Sequence, residues 1–517
     1  MSLATRHLSQ IAAAILVTAA PAIAENPAPR PNILFVISDD QSWAHTGTAG
    51  YKAARTPAFD RIAAEGVYFE QAFAPTPGCS PTRAAILTGR NNWQIEEAGT
   101  HASSFPIKYD VFPIRLQAAG YFIGLHGKGW APGNIDGWPH NPAGPNFRGK
   151  NYTEAFRGFL EARPNDQPFL FWLGAHEAHS SQMNMHRGIG AEYGYKLEDI
   201  EVPPFLPDAP EVRSQIADYL ALIERYDTQL GNILTLLEET GELDNTLIIV
   251  TSDHGMAFPR SKANLYEYSV RVPLAVRWGN QVPAGRRVAD LVNLIDLTAT
   301  IYEASGVEPP QAHPIAGTSL LETLQGNGDG IVDPARDAVF CGRERHTYAR
   351  HANHGYPMRS IRTHEYLYIR NFAPERWPAG APQSLDNHGQ LRPLTDFGSA
   401  FADIDPGGSK KFMVDHRDHE EHRKFLMWSV SKRPSEELFD IRADPGCLIN
   451  LANNPRYDET RAKLAARLEA HLRETGDPRL VGTDPDIFES YPRLVGTMRE
   501  YPAPEDEPEE WQEFEAP

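Results

Sequence analysis

Three short segments of this chain gather side chains that can do chemistry together. The first is Cys79-Ser80-Pro81-Thr82-Arg83, followed by Leu87-Thr88-Gly89-Arg90. Ser80 suits a helix N-cap, Pro81 the first helical position and Gly89 the stop, so the spacing predicts a helix with Cys79 at its mouth. A group there faces the positive end of the helix dipole and unpaired N–H donors, which favour an anion, and Arg83 adds a fixed charge one turn further in. The second segment is Asp39-Asp40, a carboxylate pair that suits a divalent cation or an ordinary turn, and the third is Asp253-His254. A cation held by such groups orients a nucleophile and offsets charge on a substrate oxygen. Oxygen donors favour calcium, with magnesium second, whereas the His254 nitrogen is less natural for calcium. His176 and His179 stand three apart, but neither a cysteine nor a third histidine sits at zinc-site spacing. Proton transfer suits His179, because an imidazole titrates near neutrality.

Strands must deliver these groups. Asn32–Ser38, Phe169–Leu173 and Thr246–Val250 are continuous apolar runs that end beside Asp39-Asp40, His176–His179 and Asp253-His254. Such runs are expected at the centre of a parallel sheet, and open α/β sheets place ligands at strand ends. From Glu211 to Glu239, Ile216, Leu220, Ile223, Leu230, Ile233 and Leu237 recur at helical spacing, predicting a long helix over one sheet face. Further helices are expected over Thr56–Gly66, over Asp110–Ala119 and from Asp296, with strands at Val67–Phe69 and Val272–Trp278. His126 and Lys128 are read on one strand, sharing a face. Beyond about position 345 the pattern changes: a hairpin over Met358–Arg370, a strand at Glu437–Ile441 and a helix at Ala462–Leu472 surround a loop-rich stretch, 377–425. The acidic end after Pro502 reads as a surface tail. The expected fold class is α/β: a large mixed, mostly parallel sheet flanked by helices, with a smaller C-terminal antiparallel-sheet-plus-helix subdomain. Residues 25–345 form the first unit and 346–517 the second.

Composition narrows the function. A formal charge of −19 over 517 residues argues against nucleic-acid and membrane partners, and an anionic substrate needs a local basic pocket. Residues 1–24 read as an export signal, with Arg6-His7, an apolar run from Ile11 to Ala20 and Ala22-Ile23-Ala24, so a periplasmic or secreted location is expected. No later run reaches the ~20 apolar residues of a membrane span. Besides Cys79, only Cys341 and Cys447 occur; they either pair or remain two buried thiols.

Cys-x-Pro-x-Arg followed by Leu-Thr-Gly-Arg resembles the signature of the formylglycine-dependent sulfatases of the alkaline phosphatase superfamily. Gly120-Tyr121-Phe122-Ile123-Gly124-Leu125-His126-Gly127-Lys128-Gly129-Trp130 resembles their second signature. The resemblance implies an alkaline phosphatase-like fold and oxidation of Cys79 to formylglycine (3-oxoalanine) by a separate maturation enzyme, the hydrate then attacking sulfur. It assigns Asp39, Asp40, Cys79, Asp253 and His254 to a calcium or magnesium ion, and Arg83, Lys128 and Lys262 to the sulfate, with Arg260 a nearby substitute for Lys262. His179 matches the residue that protonates the leaving group. The family's histidine for releasing sulfate falls at Ala131, and His126 is the substitute nearest in sequence. Tyr356-Pro357-Met358-Arg359-Ser360, Asn264-Leu265-Tyr266 and the Leu438–Leu451 stretch look most like the heparan N-sulfatases, implying a small sulfated saccharide, the N-sulfate of glucosamine among them, with His351 and His354 as candidate pocket borders. Other outcomes of the same resemblance are an O-sulfatase on aryl or sugar sulfates, a phosphonate monoester hydrolase and a non-catalytic sulfosugar-binding protein. The oligomeric state stays open, a homodimer included.

Overall fold

The computed structural model describes residues 30–164, 167–508 and 511, so the export-signal reading of 1–24 lies outside the described residues. Eight strands form the main sheet: β1 (Asn32–Ser38), β2 (Val67–Phe73), β3 (Phe122–Gly127), β4 (Phe169–Gly174), β5 (Thr246–Ser252), β6 (Arg271–Val272), β7 (Leu274–Arg277) and β8 (Arg286–Asn293). Their order is β3-β4-β1-β5-β7-β2-β6, with β8 also on β2. β3, β4, β1 and β5 run parallel, Ile33 opposite Leu170 and Leu247, which aligns the ends of β1, β4 and β5 on one edge. The strand expected over Val272–Trp278 is broken between β6 and β7 at Pro273, which has no N–H for the ladder.

Side-chain alternation divides the core. Ile33, Phe35 and Ile37 face a layer containing Ala84–Leu87, Phe112, Leu116, Leu297 and Ile301. Leu34 and Val36 face the other layer, with Phe59, Phe156, Phe159, Leu230, Ile233 and Leu237. The long helix, Pro210–Glu239, therefore covers the face its spacing predicts.

The second sheet is antiparallel, ordered β12-β11-β10-β9, from β9 (Ala338–Arg343), β10 (Met358–Thr363), β11 (Tyr366–Asn371) and β12 (Glu436–Asp440). The Asp458–Glu474 helix lays Leu464, Leu468 and Leu472 on Ile361, Tyr368 and Leu438. Arg359 of β10 is fully buried, pairs with Glu344 and Asp477 at 2.7 Å each, and lies over the Trp93 ring. Within the loop-rich stretch a helix forms over Gly408–Asp415, and another follows at Arg423–Val430. Cys341 and Cys447 are both free, as two buried thiols of one apolar cluster. The surface-tail reading fits Pro504–Asp506, which are exposed, but needs correction at Trp511, which is buried with its ring 5.5 Å from that of Phe401, because an indole gains more by covering an apolar cluster than by staying in water.

Candidate active site

The helix that Cys79 opens runs Cys79–Thr88 and is buried throughout. Its cap differs from the sequence expectation. Gly78 is the N-cap, Cys79 the first helical residue, and the Ser80 hydroxyl instead accepts from the Ala102 amide at 3.1 Å. Gly89 ends the helix in the left-handed region (φ 67°), as expected.

The carboxylates reach Cys79 through one backbone irregularity. Consecutive residues at a strand end would point to opposite faces, but Asp40 adopts φ 67°, which folds its side chain back beside that of Asp39. Its amide donates to Asp253 Oδ1 at 3.1 Å, tying the ends of β1 and β5. The Asp39 amide donates to Glu177 O at 2.8 Å, and the loop after β4 thereby brings His179 to the same edge.

Cations surround this group. Lys128 Nζ donates to both Asp39 oxygens at 2.8 and 2.7 Å. Lys262 Nζ bridges Asp40 (2.8 Å) and Asp405 (3.0 Å). Arg83 Nε donates to Asp253 at 2.9 Å, and its NH1 to Lys128 O at 2.5 Å. Arg83 NH2 is buried without a hydrogen-bond acceptor, so one guanidinium donor is left for a ligand oxygen. The Cys79 thiol sits 3.3 Å from His254 Nε2. Although burial opposes it, Lys128, Lys262 and His254 hold Cys79 well below the ordinary thiol range. Burial pushes Asp39 up to about 8 despite Lys128, whereas Arg83 and His254 hold Asp253 low against the same burial. Asp253 and Asp40 lift His254 to about 9 over its burial cost. His179 is raised, since Asp40 and Asp39 outweigh burial and Lys262. Its side chain is 27% exposed where Asp40 is sealed, so it stands at the mouth and Cys79 at the floor.

The sequence-derived residues divide into those the fold gathers and those it turns away. Asp39, Asp40, Cys79 and His254 each bring one donor atom within 4.8 Å of the others. Asp253 stands outside that set, its oxygens occupied by Arg83 and the amides of Asp40 and His254. His126 does not share a face with Lys128. Gly127 between them takes φ 78° with its α-carbon against Gly174 O, so the alternation breaks. Lys128 swings to Asp39, while His126 Nδ1 donates to Phe147 O at 2.7 Å and its ring meets Tyr152. Arg260 turns to the carbonyls of Trp428 and Cys447, leaving Lys262 as the second cation. His351 is exposed and His354 half-buried. Two residues unmarked by any motif join the site. His101 lies beside Cys79, with its ring tilted 4.6 Å from that of His346, and is pushed down to about 4 by burial. Arg493 donates to its Nδ1 at 3.3 Å, leaving Nε2 for residue 79. Asp405 comes from the loop-rich stretch and also accepts from Ser180 Oγ at 2.8 Å.

The donor set fits a divalent cation. Asp40 Oδ1 is buried and without a hydrogen bond although His254 Nε2 lies 3.0 Å away, and His254 Nδ1 donates to Gly255 O, which keeps Nε2 facing the group. Two carboxylates, an imidazole and residue 79 around an orphaned carboxylate oxygen are what such an ion needs.

The sulfatase family model matches residues 31–307. The chain belongs to the sulfatase family. A second model, N-sulphoglucosamine sulphohydrolase, C-terminal, matches residues 254–378. The chain is 28% identical to human N-sulphoglucosamine sulphohydrolase over 499 residues, covering 88% of this chain and 92% of that one. It is 24% identical to an ulvan-active sulfatase of Formosa agariphila over 486 residues, covering 87% and 76%. Among solved structures, a protein in complex with its substrate D-glucosamine-2-N,6-O-disulfate aligns with TM-score 0.62 at 21% identity, over 88% of this chain and 99% of that one. A phosphonate monoester hydrolase of Agrobacterium radiobacter aligns with TM-score 0.57 at 17% identity, over 86% and 96%. The fold is the alkaline phosphatase-like one expected, and the chain is a hydrolase of sulfuric esters or sulfamates. No helix among the described residues is long and apolar enough to cross a membrane.

Proposed function

We propose that this sulfatase removes sulfate from a small sulfated saccharide, with the N-sulfate of a glucosamine unit of heparan or heparin type as its substrate. The observation that carries the reading is the convergence of Asp39, Asp40, Cys79 and His254 within 4.8 Å, ringed by Lys128, Lys262 and Arg83. The human relative's name and the C-terminal family model support the N-sulfate. In this reading Cys79 is oxidised by a maturation enzyme, and residue 79 then supplies the attacking oxygen as a hydrated aldehyde. A calcium or magnesium ion held by Asp39, Asp40, residue 79 and His254, with Asp253 behind them, lowers the charge against which sulfate must bind when it is present.

The chain's own groups do the rest. Lys128, Lys262 and Arg83, whose NH2 makes no hydrogen bond and lies 3.9 Å from Asp39 Oδ1, draw the sulfate into an otherwise acidic molecule. The Ser181 amide donates to His179 Nδ1 at 3.1 Å, which keeps the His179 proton on Nε2, the atom directed at the pocket. From there it is given to the departing nitrogen or oxygen. Asp405 restrains Lys262 together with Asp40. His101 is the imidazole beside residue 79; with Arg493 donating to its Nδ1, its Nε2 proton is the one offered to the oxygen of residue 79, a positioning role in place of the His126 expected from sequence.

The test is sulfate release from glucosamine N-sulfate and glucosamine 6-O-sulfate, with a phenylphosphonate ester in parallel, by protein co-expressed with a maturation enzyme and checked by mass spectrometry of the Cys79 peptide. N-sulfate turnover with at least tenfold higher kcat/KM is expected, and Cys79→Ser is expected to abolish it at unchanged folding. Preference for the O-sulfate or the phosphonate, or tight binding without turnover by oxidised protein, would sink the N-sulfatase reading.

A further inference from the structure

A second set of metal-binding side chains lies outside the catalytic group. Between the Gly408–Asp415 and Arg423–Val430 helices the sequence reads His416-Arg417-Asp418-His419-Glu420-Glu421-His422, with histidines at every third position. The backbone closes this run in successive three-residue turns: the His419 amide donates to His416 O and the His422 amide to His419 O, both at 3.0 Å. Side chains three apart eclipse in such turns, so the imidazoles stack on one side. The rings of His419 and His422 are 4.7 Å apart and nearly parallel, and that of His416 is 5.6 Å from His422. Glu421 shares the cluster, and His419, Glu421 and His422 each bring one donor atom within 4.8 Å of the others.

Two details point to a ligand for this cluster. His422 Nδ1 is buried and has no hydrogen-bond partner, an atom whose burial is costly unless something binds it. His416 Nδ1 donates to Phe412 O at 2.8 Å, which fixes the tautomer with Nε2 unprotonated, the arrangement that metal-bound histidines use. Glu421 is exposed, and its amide donates to His419 Nδ1 at 3.3 Å, which leaves His419 Nε2 for a ligand.

We propose that His419, His422 and Glu421 form a binding site for a borderline divalent transition metal, zinc first, with His416 as the neighbouring imidazole. Two nitrogens and one carboxylate match zinc, nickel, cobalt or copper and not calcium, which separates this site from the oxygen-rich catalytic group. The ion clips the turn between two helices, from the residues after His416, which closes the first, to His422, which opens the second; their inner residues, Met413, Val414, Leu426 and Val430, lie in one cluster with the long Pro210–Glu239 helix. Asp405 lies on the same segment, three residues before the first of these helices, so the clip steadies the stretch that carries the carboxylate to Lys262.

Full-length protein stripped with EDTA and dialysed against micromolar zinc, with millimolar calcium present for the carboxylate-rich site, is compared by elemental analysis with a His419→Ala/His422→Ala variant. The wild type is expected to retain about one zinc more per chain than this variant, and Glu421→Gln to weaken zinc by about tenfold or more. Cobalt bound at the site should give a nitrogen-ligated visible spectrum that zinc displaces. Asp39→Asn should keep the extra zinc, which makes the result independent of the sulfatase reading. Equal zinc in wild type and double variant, with both folded by circular dichroism, would overturn the proposal.

Discussion

His101 and His126 differ in which way they point. His126 is committed to Phe147 O, while His101 lies beside Cys79, the proposed nucleophile. His101→Ala is therefore expected to lower kcat by about 10²-fold or more with little change in KM, and His126→Ala to leave kcat within a few-fold, both read by steady-state sulfate release. Arg83, a proposed sulfate contact, is also expected to act on stability. It is fully buried against Asp253, and Arg83→Met would strand that carboxylate, so unfolding in urea should show a loss of about 3–5 kcal/mol. Much at this scale was legible in the sequence, because Cys79 with Arg83, Asp39 with Asp40 and Asp253 with His254 are each close neighbours in the chain. His101 and Asp405 were not. They meet Cys79 and Lys262 only because a loop and a distant segment fold onto the same edge, and nothing local marks them.

At the scale of elements, central strands and long helices were readable from apolar runs and helical spacing, while their irregular ends were not. Two irregularities decide the site: the left-handed turn at Asp40 and the break at Gly127. Period-two alternation holds only inside a strand, and β3 ends at Gly127, so extending it to Lys128 misplaced His126. An alanine at 127 would set its Cβ 2.0 Å from Gly174 O in a conformation L-residues resist. Gly127→Ala is thus expected to cost about 1–3 kcal/mol in thermal or urea unfolding and to lower activity by displacing Lys128 from Asp39. The cap of the Cys79–Thr88 helix teaches the same lesson. Ser80 has the right side chain for a cap, but Ala102 claims it, and Gly78 serves by backbone alone.

The whole molecule keeps several imidazoles neutral in its interior. His45, against Tyr219 and Tyr51, is pushed down to about 3 by burial. The unfolded chain titrates this group near 6.5, so between pH 6.5 and 3 it binds the proton that the folded protein refuses. The His45 contribution is complete above about pH 6.5 and is lost as pH falls through this window, at about 1.4 kcal/mol per unit. Urea midpoints across pH 4–7 should fall less steeply for His45→Phe than for the wild type. The charge of −19 foretold a locally basic pocket, but not that each of its cations would already hold a carboxylate of the chain. The buried Trp511 has a practical consequence for anyone handling this protein. Its ring rests on Phe401, whose carbonyl anchors the Ile404 amide next to Asp405, so Trp511 bears on the segment that reaches Lys262. Affinity tags and clipping by proteases belong away from this end, because damage there reaches the mouth of the pocket.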